Sequence, residues 1–312
     1  MSPKRVLAVD VGTHSTLYLV ADVSSDGVIV VERGIYANHL GETAGDQGQI
    51  PQEVLNTNEK ILRIIVHKGE EWKVERALGV GTAALRRASN QDQFLLIAET
   101  VGLPFRIISS QEEIRLSWMG VLGATGPSEF KAVLDIGGGS TELMAGEGKE
   151  PRWAESLPLG SVLLSRKFFR NDPPLEEEIE AGEQFVRETV QHWSQLLSLT
   201  GAPSHPSSPW LIGTAGTVTA LAMVENRILA YSPDCITGLL LTQEAITRWA
   251  DQLLKMNYSQ RLNVPAMPVV RARYIPAGAL ILKVIVDILG LEAIQVSDRG
   301  VLFGVAMLAA TD

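Results

Sequence analysis

The stretch that decides the fold is VLDIGGGSTEL, residues 133–143. An apolar run there ends at an aspartate, and three glycines, a Ser-Thr pair and a glutamate follow it. The segment VLAVDVGTHSTLYLV, residues 6–20, repeats the order Asp-x-Gly-x-x-Ser-Thr without a gap. The shared positions are Asp10 and Asp135, Gly12 and Gly137, Ser15 and Ser140, and Thr16 and Thr141. This repeat predicts two copies of one β-hairpin, each at the start of a domain.

The glycines of these turns point to phosphate binding. Backbone N–H groups can approach an oxyanion closely where Cβ atoms are absent, and glycine also adopts positive φ. One such motif is as well explained by an ordinary Gly-rich hairpin, but two copies favour phosphate binding. The candidate phosphate-binding residues are Gly12, Thr13, His14 and Ser15 in the first turn and Gly137, Gly138, Gly139, Ser140 and Thr141 in the second.

The aspartate beside the second turn predicts a metal ion. Asp135 cannot face a phosphate alone at neutral pH, because the two anions repel each other. Carboxylate and phosphate oxygens together are the usual setting of Mg²⁺. The five histidines show no metal-ligand spacing. We therefore expect magnesium as the cofactor.

Composition limits the class of protein. With 312 residues the chain suits two domains, and its net charge of −9 disfavours nucleic acid as a partner. Cys235 is the single cysteine, which excludes an internal disulfide framework and fits a reducing compartment. We expect its side chain to be a small buried apolar group. The first apolar run is interrupted by Asp10, and the apolar stretch 278–291 carries Lys283 and Asp287. A leader or a membrane span is therefore not expected, and we predict a soluble cytoplasmic protein.

Strand-like and helix-like segments alternate along the chain, which predicts the α/β class. Gly- and Pro-containing stretches interrupt the pattern at 123–130 and as a loop at 201–209. We expect two α/β domains, residues 1–125 and 126–312, with a cleft between them. The C-terminal helix at 299–312 is able to pack back onto the first domain.

Further motifs carry a resemblance to known proteins. GTAGTVTALA (213–222) adds a third Gly-rich turn, and with the two hairpins it resembles the superfamily of actin, sugar kinases and heat-shock chaperone ATPases. More closely, the sequence resembles the exopolyphosphatase / guanosine pentaphosphate phosphohydrolase family over nearly its whole length. Six motifs appear in the family's order: AVDVGTHS (8–15), GTAALRRASN (81–90), IISSQEEIRLSWMGV (107–121), LDIGGGSTEL (134–143), SLPLGSVLL (156–164) and VSDRGVLFGVAML (296–308).

The resemblance implies a fold and a place for the substrate. It implies two actin-like (ribonuclease H-like) domains whose hairpins clamp phosphates in the interdomain cleft, with Gly216 as a further substrate-binding residue. The chain resembles the short two-domain form, which lacks the C-terminal all-helical domain of longer members.

Hydrolysis of a phosphoanhydride needs a base that orients and deprotonates an attacking water. Glu112 and Glu113 both lie near a predicted helix start. Adjacent helical residues point about 100° apart, so only one of them can face a site, and the pattern alone leaves the choice open. Both could also merely complement the helix dipole. The resemblance implies that Glu113 is the catalytic base.

The resemblance also assigns charged residues to substrate and metal. Arg86 matches an arginine that contacts the phosphate chain, a role that suits its planar fork of donors, whereas we expect Arg87 to be solvated surface. Asp135 and Glu142 match the proposed magnesium-binding acids, and Asp10 is the symmetric counterpart of Asp135. Glu142 lies seven residues after Asp135, so we expect it to reach the same ion only if the hairpin bends back.

The implied activity is that of an exopolyphosphatase, which releases orthophosphate from inorganic polyphosphate. The alternative is a guanosine pentaphosphate 5′-phosphohydrolase of alarmone metabolism, because both substrates present the same terminal anhydride. A non-catalytic sensor of polyphosphate or alarmone, and an ATPase of the superfamily, are further alternatives. The expected partner is polyphosphate or guanosine pentaphosphate, without nucleic acid or membrane, and a homodimer is compatible with the sequence.

Several positions depart from the family pattern. The family usually has Asn at His14, Gly at Ser110 and Asp at Tyr274, and it typically shows Arg and Glu at Leu302 and Phe303. A histidine in the first phosphate turn would make phosphate contact depend on pH.

Overall fold

The computed structural model describes residues 2–43, 48–199, 201–202, 210–231 and 233–311. The chain forms two compact units, Met1–Gly126 with Gly300–Asp312, and Pro127–Arg299. The C-terminal helix therefore belongs to the first unit. Of the predicted loop at 201–209, residues 203–209 lie outside the described part of the chain.

The first unit is built on a five-stranded sheet of order β3-β2-β1-β4-β5. The first three strands form an antiparallel meander, and β4 and β5 run parallel to β1. Its elements are β1 (Lys4–Val11), β2 (Ser15–Ser24), β3 (Gly27–Ala37), α1 (Leu40–Thr43), α2 (Gln52–Glu71), β4 (Arg76–Gly81), α3 (Ala83–Arg87), α4 (Gln91–Thr100), β5 (Phe105–Ile107), α5 (Ser110–Leu122) and, from the end of the chain, α14 (Val301–Thr311).

The second unit has a six-stranded sheet of order β10-β11-β9-β6-β7-β8. Strands β6, β7 and β8 again form an antiparallel meander, and β9 runs parallel to β6. Its elements are β6 (Lys131–Ile136), β7 (Thr141–Gly146), β8 (Trp153–Leu157), α6 (Ser161–Phe168), α7 (Glu176–Val190), α8 (Trp193–Leu199), β9 (Leu211–Thr214), α9 (Ala215–Glu225), α10 (Pro233–Ile236), β10 (Leu240–Thr242), α11 (Gln243–Lys255), α12 (Tyr258–Leu262), α13 (Ile275–Ile288) and β11 (Ala293–Val296).

The two sheets repeat one topology. The order β3-β2-β1-β4-β5 of the first unit corresponds to β8-β7-β6-β9-β11 of the second, and β10 is an additional antiparallel edge strand. The repeated hairpins also share their register, since Val11 pairs with Thr16 and Ile136 with Thr141. The predicted α/β class is confirmed, and the two Asp-x-Gly segments both form the predicted hairpins.

Strand β1 shows why these apolar runs form central strands. Successive side chains of a strand point to opposite faces, so a strand covered on both faces needs apolar residues at nearly every position. Leu7, Val9 and Val11 pack in the core that includes α2 and α4. Val6 and Ala8 pack in the core that includes α5 and α14. Helices therefore cover both faces of the first sheet.

Helices α5 and α14 approach each other through glycines. A Cβ atom on Gly304 would lie 2.7 Å from the backbone C of Leu116, and one on Gly120 would lie 2.9 Å from the backbone C of Gly300. Such distances are far below van der Waals contact, so larger residues at either glycine would push the helices apart. This packing fixes the helix whose first turn carries Glu112 and Glu113.

One prediction about the second unit is wrong. Cys235, expected to be a buried apolar residue, is exposed on the short helix α10. Adjacent helical residues point about 100° apart, and the next residue of this helix, Ile236, is the one that is buried in the core. Among the helices of the described residues, none is long and apolar enough to cross a membrane.

Candidate active site

In the first unit, the predicted site residues lie where parallel strands end. Strands β1, β4 and β5 are adjacent and parallel, so their carboxyl ends meet at one edge of the sheet. The first phosphate turn follows β1, Arg86 lies on α3 after β4, and Glu113 lies on α5 after β5. The N–H group of Thr82 donates to Val11 O at 3.1 Å and ties two of these ends together. Ligands of open α/β sheets bind at this edge.

Both hairpin turns are closed by the same hydrogen bond. The N–H group of Gly12 donates to Ser15 O, and that of Gly137 donates to Ser140 O, each at 3.0 Å. A Cβ atom on either glycine would lie 3.2 Å from that acceptor oxygen, which is tighter than ordinary contact. The identical closure gives the two Asp-x-Gly hairpins turns of the same length.

The start of helix α6 orients the second turn. The N–H groups of Ser161 and Val162 donate to Gly137 O and Gly138 O, each at 3.0 Å. In a trans peptide the carbonyl and the following N–H point in opposite directions. The N–H groups of residues 138 and 139 therefore point away from α6, which is the arrangement that an anion-binding turn requires.

The acidic residues of the second hairpin form a cross-strand pair. Asp135 on β6 lies directly opposite Glu142 on β7, and both side chains are largely buried. The hairpin folds back on itself, which is the condition that the sequence analysis set for Glu142 to reach Asp135. Directly opposed residues of an antiparallel pair extend from the same face of the sheet, so seven residues of separation already place these carboxylates side by side.

Two further polar residues extend this row across the sheet. Ser156 on β8 pairs with Glu142 and donates its hydroxyl to Glu142 Oε1 at 2.7 Å. On the other side, Thr214 of β9 lies level with Asp135. The motif SLPLGSVLL begins at Ser156, so this neighbour was visible in the sequence but was not recognised. In the first unit, Leu17 occupies the position that corresponds to Glu142.

The donor set of this row suits magnesium. Mg²⁺ usually keeps several waters and takes one or two protein carboxylates together with phosphate oxygens. Asp135 and Glu142 supply two carboxylates, whereas the described residues contain no group of three or more His, Cys, Asp or Glu able to hold an ion. Asp10, the third candidate metal ligand, lies on β1 of the first unit, level with Val80.

The buried Glu113 forms an ion pair with the partly buried Arg86. The hydroxyl of Ser109 caps α5 by accepting the Glu112 N–H at 3.2 Å, which places Glu113 in the first helical turn. Arg86 Nη1 lies 2.6 Å from Glu113 Oε2 and also donates to Ile108 O at 3.0 Å. Burial raises the pKa of Glu113, while the positive charge of Arg86 acts in the opposite direction. A buried carboxylate of raised pKa is suited to accept a proton.

The neighbouring glutamate has a different environment. Glu112 forms an ion pair with Arg106 at 2.5 Å. The side chain of Glu112 is 31% exposed, whereas that of Glu113 is 11% exposed. The two carboxylates thus face in different directions, as their positions on the helix require. Arg87 is exposed, as expected.

The third Gly-rich segment is part of a helix. Gly216 lies in the first turn of α9, and the guanidinium of Arg271 packs where a Cβ atom of Gly216 would be. Ala215 before it has a φ of 66°. Sequence reasoning missed Arg271, although it lies in a segment with two further cationic or aromatic residues, Arg273 and Tyr274.

The residues that depart from the family pattern lie in helices, at the start of a helix or in the buried part of the first turn. Leu302 and Phe303 are buried in the core of the first unit, where apolar side chains are stabilising. Tyr274 is 7% exposed at the start of α13, and Ser110 is the first residue of α5. His14 is buried, and its ring lies edge-on to that of His39 with centroids 6.4 Å apart.

The repeated sheets, each with an Asp-x-Gly hairpin at the carboxyl end of its first parallel strand, define an actin-like phosphate-handling protein. Residues 19–309 match the Ppx/GppA phosphatase family, and the chain belongs to that family. It is a hydrolase that acts on phosphoric anhydrides, either a polyphosphate phosphohydrolase or one of the GppA type.

Individual relatives agree with this assignment. The chain is 28% identical to Exopolyphosphatase 2 of Mycobacterium tuberculosis over 99% of its own length and 100% of that protein. It is 29% identical to the Aquifex aeolicus PPX-GPPA enzyme, whose structure matches 98% of this chain and 99% of that chain with a TM-score of 0.79. An exopolyphosphatase structure from Cytophaga hutchinsonii, 24% identical, has a TM-score of 0.86 over 99% of this chain and 98% of that chain, which supports the fold.

Proposed function

We propose that the protein is an exopolyphosphatase, which hydrolyses the terminal anhydride of inorganic polyphosphate and releases orthophosphate. The observation that carries the proposal is the ion pair of Glu113 and Arg86 at the carboxyl edge of the first sheet. A sensor that only binds phosphate has no need of a buried carboxylate at such an edge. The choice of polyphosphate rests on the similarity to Exopolyphosphatase 2.

Glu113 acts as the general base in this proposal. Its carboxylate accepts a proton from the water that attacks the terminal phosphorus, and the raised pKa brings its basicity closer to neutral pH. Arg86 holds the carboxylate through Nη1, so its Nε and Nη2 groups are the donors that meet phosphate oxygens. One arginine thereby positions the base and stabilises negative charge on the substrate.

The two turns hold phosphate groups through their backbone N–H donors and through the hydroxyls of Ser15 and Ser140, whereas the buried Thr141 hydroxyl donates to Leu159 O. In each turn, the N–H groups stabilise the negative charge of the phosphate oxygens bound at that turn. Asp135 and Glu142 would hold magnesium, which would neutralise part of the phosphate charge. Ser156 keeps the Glu142 carboxylate oriented toward its neighbour by donating to Oε1.

The test is a side-by-side measurement of orthophosphate release from long-chain polyphosphate, guanosine pentaphosphate and ATP. Each substrate is assayed with the wild type and with Glu113→Gln, which serves as the matched inactive control. We expect the highest kcat/KM on long-chain polyphosphate and a loss of that activity in the variant. Preference for guanosine pentaphosphate would assign the alternative activity, preference for ATP would favour an ATPase, and tight binding without turnover would favour the sensor.

A further inference from the structure

Asn38, the residue that follows β3, is fully buried against the first phosphate turn. Its backbone N–H donates to His14 O at 3.1 Å. Its side-chain Nδ2 donates to Gly12 O at 2.9 Å and to Thr16 Oγ1 at 3.2 Å. One residue therefore makes three hydrogen bonds to a turn that lies more than twenty positions earlier in the chain.

The next residues complete this contact, since the Gly41 N–H donates to Thr13 O at 2.6 Å. Three consecutive carbonyl groups, those of residues 12–14, are thus bonded to segment 38–41. In trans peptides the following N–H groups point the opposite way. The N–H groups of residues 13–15 are therefore directed away from segment 38–41, as an oxyanion site requires.

The second unit reaches the same arrangement by other means. There the carbonyl of Gly137, which corresponds to Gly12, accepts from the backbone N–H of Ser161 at the start of α6. In the first unit, the described residues of α1 (Leu40–Thr43) supply the Gly41 N–H to Thr13 O, whereas the donor to Gly12 O is a side chain. The carboxamide of Asn38 supplies the donor that a helix N-terminus supplies in the second unit.

Two neighbours bond Asn38, Leu40 at its carboxamide and Asn58 only at its main-chain carbonyl. Leu40 N–H donates to Asn38 Oδ1 at 3.2 Å, which directs Nδ2 toward the turn. Asn58, buried on α2, donates its own Nδ2 to Asn38 O at 3.0 Å. Buried, fully bonded carboxamides of this kind lock a single backbone conformation.

We infer that Asn38 is a positioning residue of the first phosphate turn, which it holds with the N–H groups of residues 13–15 turned toward the substrate. The inference rests on the proposed function, because the phosphate-binding role of this turn is part of that proposal. Asn38 has no contact with substrate in this role. It acts through the peptide groups that it holds.

The first experiment compares Asn38→Ala with Asn58→Ala, two equal truncations of buried carboxamides in one network. Only the first removes a donor to the turn. We expect Asn38→Ala to raise KM for long-chain polyphosphate about 10- to 100-fold, the worth of hydrogen bonds to a charged group, with a smaller change in kcat. Asn58→Ala should lower thermal stability but keep KM near the wild-type value. If Asn38 only stabilised the fold, both variants would show a lower kcat at unchanged KM. That result would overturn the inference.

The second experiment measures hydrogen exchange of segment 12–16 without ligand. It includes Asn38→Asp, which matches asparagine in size and keeps the acceptor for Leu40 N–H but lacks both Nδ2 hydrogens. Exchange in the segment should be faster in both Asn38 variants than in Asn58→Ala. Unchanged exchange would refute the inference whatever the enzyme does. Absence of phosphate release by the wild type, with exchange altered as expected, would count against the proposed function alone.

Discussion

Arg86 Nη1 lies 2.6 Å from Glu113 Oε2, although 27 positions separate these residues in the chain. The contact exists because β4 and β5 are parallel neighbours, so the helices that follow them begin at the same edge of the sheet. Neither side chain is more than 21% exposed. The pair joins a candidate base, Glu113, to a candidate phosphate ligand, Arg86. Substitution of either residue should therefore change the properties of the other.

Glu113→Gln should reduce kcat about 10²- to 10⁴-fold, the usual contribution of a positioned general base. Glutamine keeps the size of the side chain and can still accept from Arg86, but it cannot take a proton from water. Substrate binding should persist or tighten, because removal of a carboxylate near a polyanion relieves repulsion. Steady-state phosphate release and equilibrium binding of polyphosphate measure the two effects.

Glu112→Gln is the matched control, since Glu112 faces Arg106 on a more exposed part of α5. It should leave kcat within a few-fold of the wild type. If Glu112→Gln proved inactive and Glu113→Gln active, the assignment of the base would be wrong by one residue. If neither changed turnover, the general-base hypothesis would fail.

Arg86→Ala should shift the pH dependence of kcat/KM. Burial raises the pKa of Glu113, and the charge of Arg86 lowers it, so removal of Arg86 raises the pKa further. The base must be deprotonated to act, so activity on the acidic side should be lost at a higher pH than in the wild type. The acidic limb of the kcat/KM profile reports this group in free enzyme. KM should also rise, because Arg86 is a proposed phosphate ligand.

Arg106→Ala removes the arginine that pairs with Glu112 and provides the comparison for this pH profile. Its acidic limb should coincide with that of the wild type. An acidic limb that stays in place in Arg86→Ala would show that Glu113 is not the group that titrates in the profile.

Local patterns were sufficient to predict the hairpins and the α/β class. The Asp-x-Gly repeat predicted both turns because each is closed by a bond between residues three apart, which depends on sequence nearby. The third strand of each meander and the Leu-Gly pairs after it were not recognised. Leu40-Gly41 and Leu159-Gly160 both follow the third strand of a meander, and each glycine packs on the tip of its turn. The repeated Leu-Gly pair is the sequence signal from which the end of each meander could have been predicted.

Tertiary contacts account for what the sequence did not predict. The pairing of Arg86 with Glu113 depends on strand order, which no short pattern contains. The position of Glu142 beside Asp135 follows from strand register, because residues seven apart in the chain face each other across the hairpin. The exposure of Cys235 depends on what packs over a four-residue helix, and neither hydropathy nor spacing reports that.

Asp135→Asn should raise the magnesium concentration needed for half-maximal activity by about tenfold or more, since even outer contacts of metal sites contribute 10- to 100-fold in affinity. Excess chelator should abolish turnover in the wild type, and added Mg²⁺ should restore it. The measurement is phosphate release as a function of free Mg²⁺. Full activity in chelator would contradict the role given to Asp135 and Glu142.

Ser156→Ala tests the same site without removing a carboxylate. It deletes the hydroxyl that donates to Glu142 Oε1 and leaves both acids in place. Its requirement for Mg²⁺ should rise less than that of Asp135→Asn. A larger rise in Ser156→Ala would mean that Ser156, rather than Asp135, dominates the site.

Gly304→Ala should destabilise the first unit. The new Cβ would lie 2.7 Å from the backbone C and 2.8 Å from Cα of Leu116, and backbone cannot turn aside as a side chain can. Overpacking of this kind costs about 1–3 kcal/mol, or roughly 2–4 °C in Tm for each kcal/mol. Gly69→Ala is the matched control on α2, because its Cβ would meet only side-chain ends of Leu7 and Val74, at 3.0 and 3.2 Å. The gain in helix propensity, about 1 kcal/mol, should offset that contact and keep Tm near the wild-type value.

Scanning calorimetry measures the melting temperatures of both variants. Equal melting temperatures would show that α5 and α14 can separate without cost. Their contact would then not fix the helix that carries Glu113.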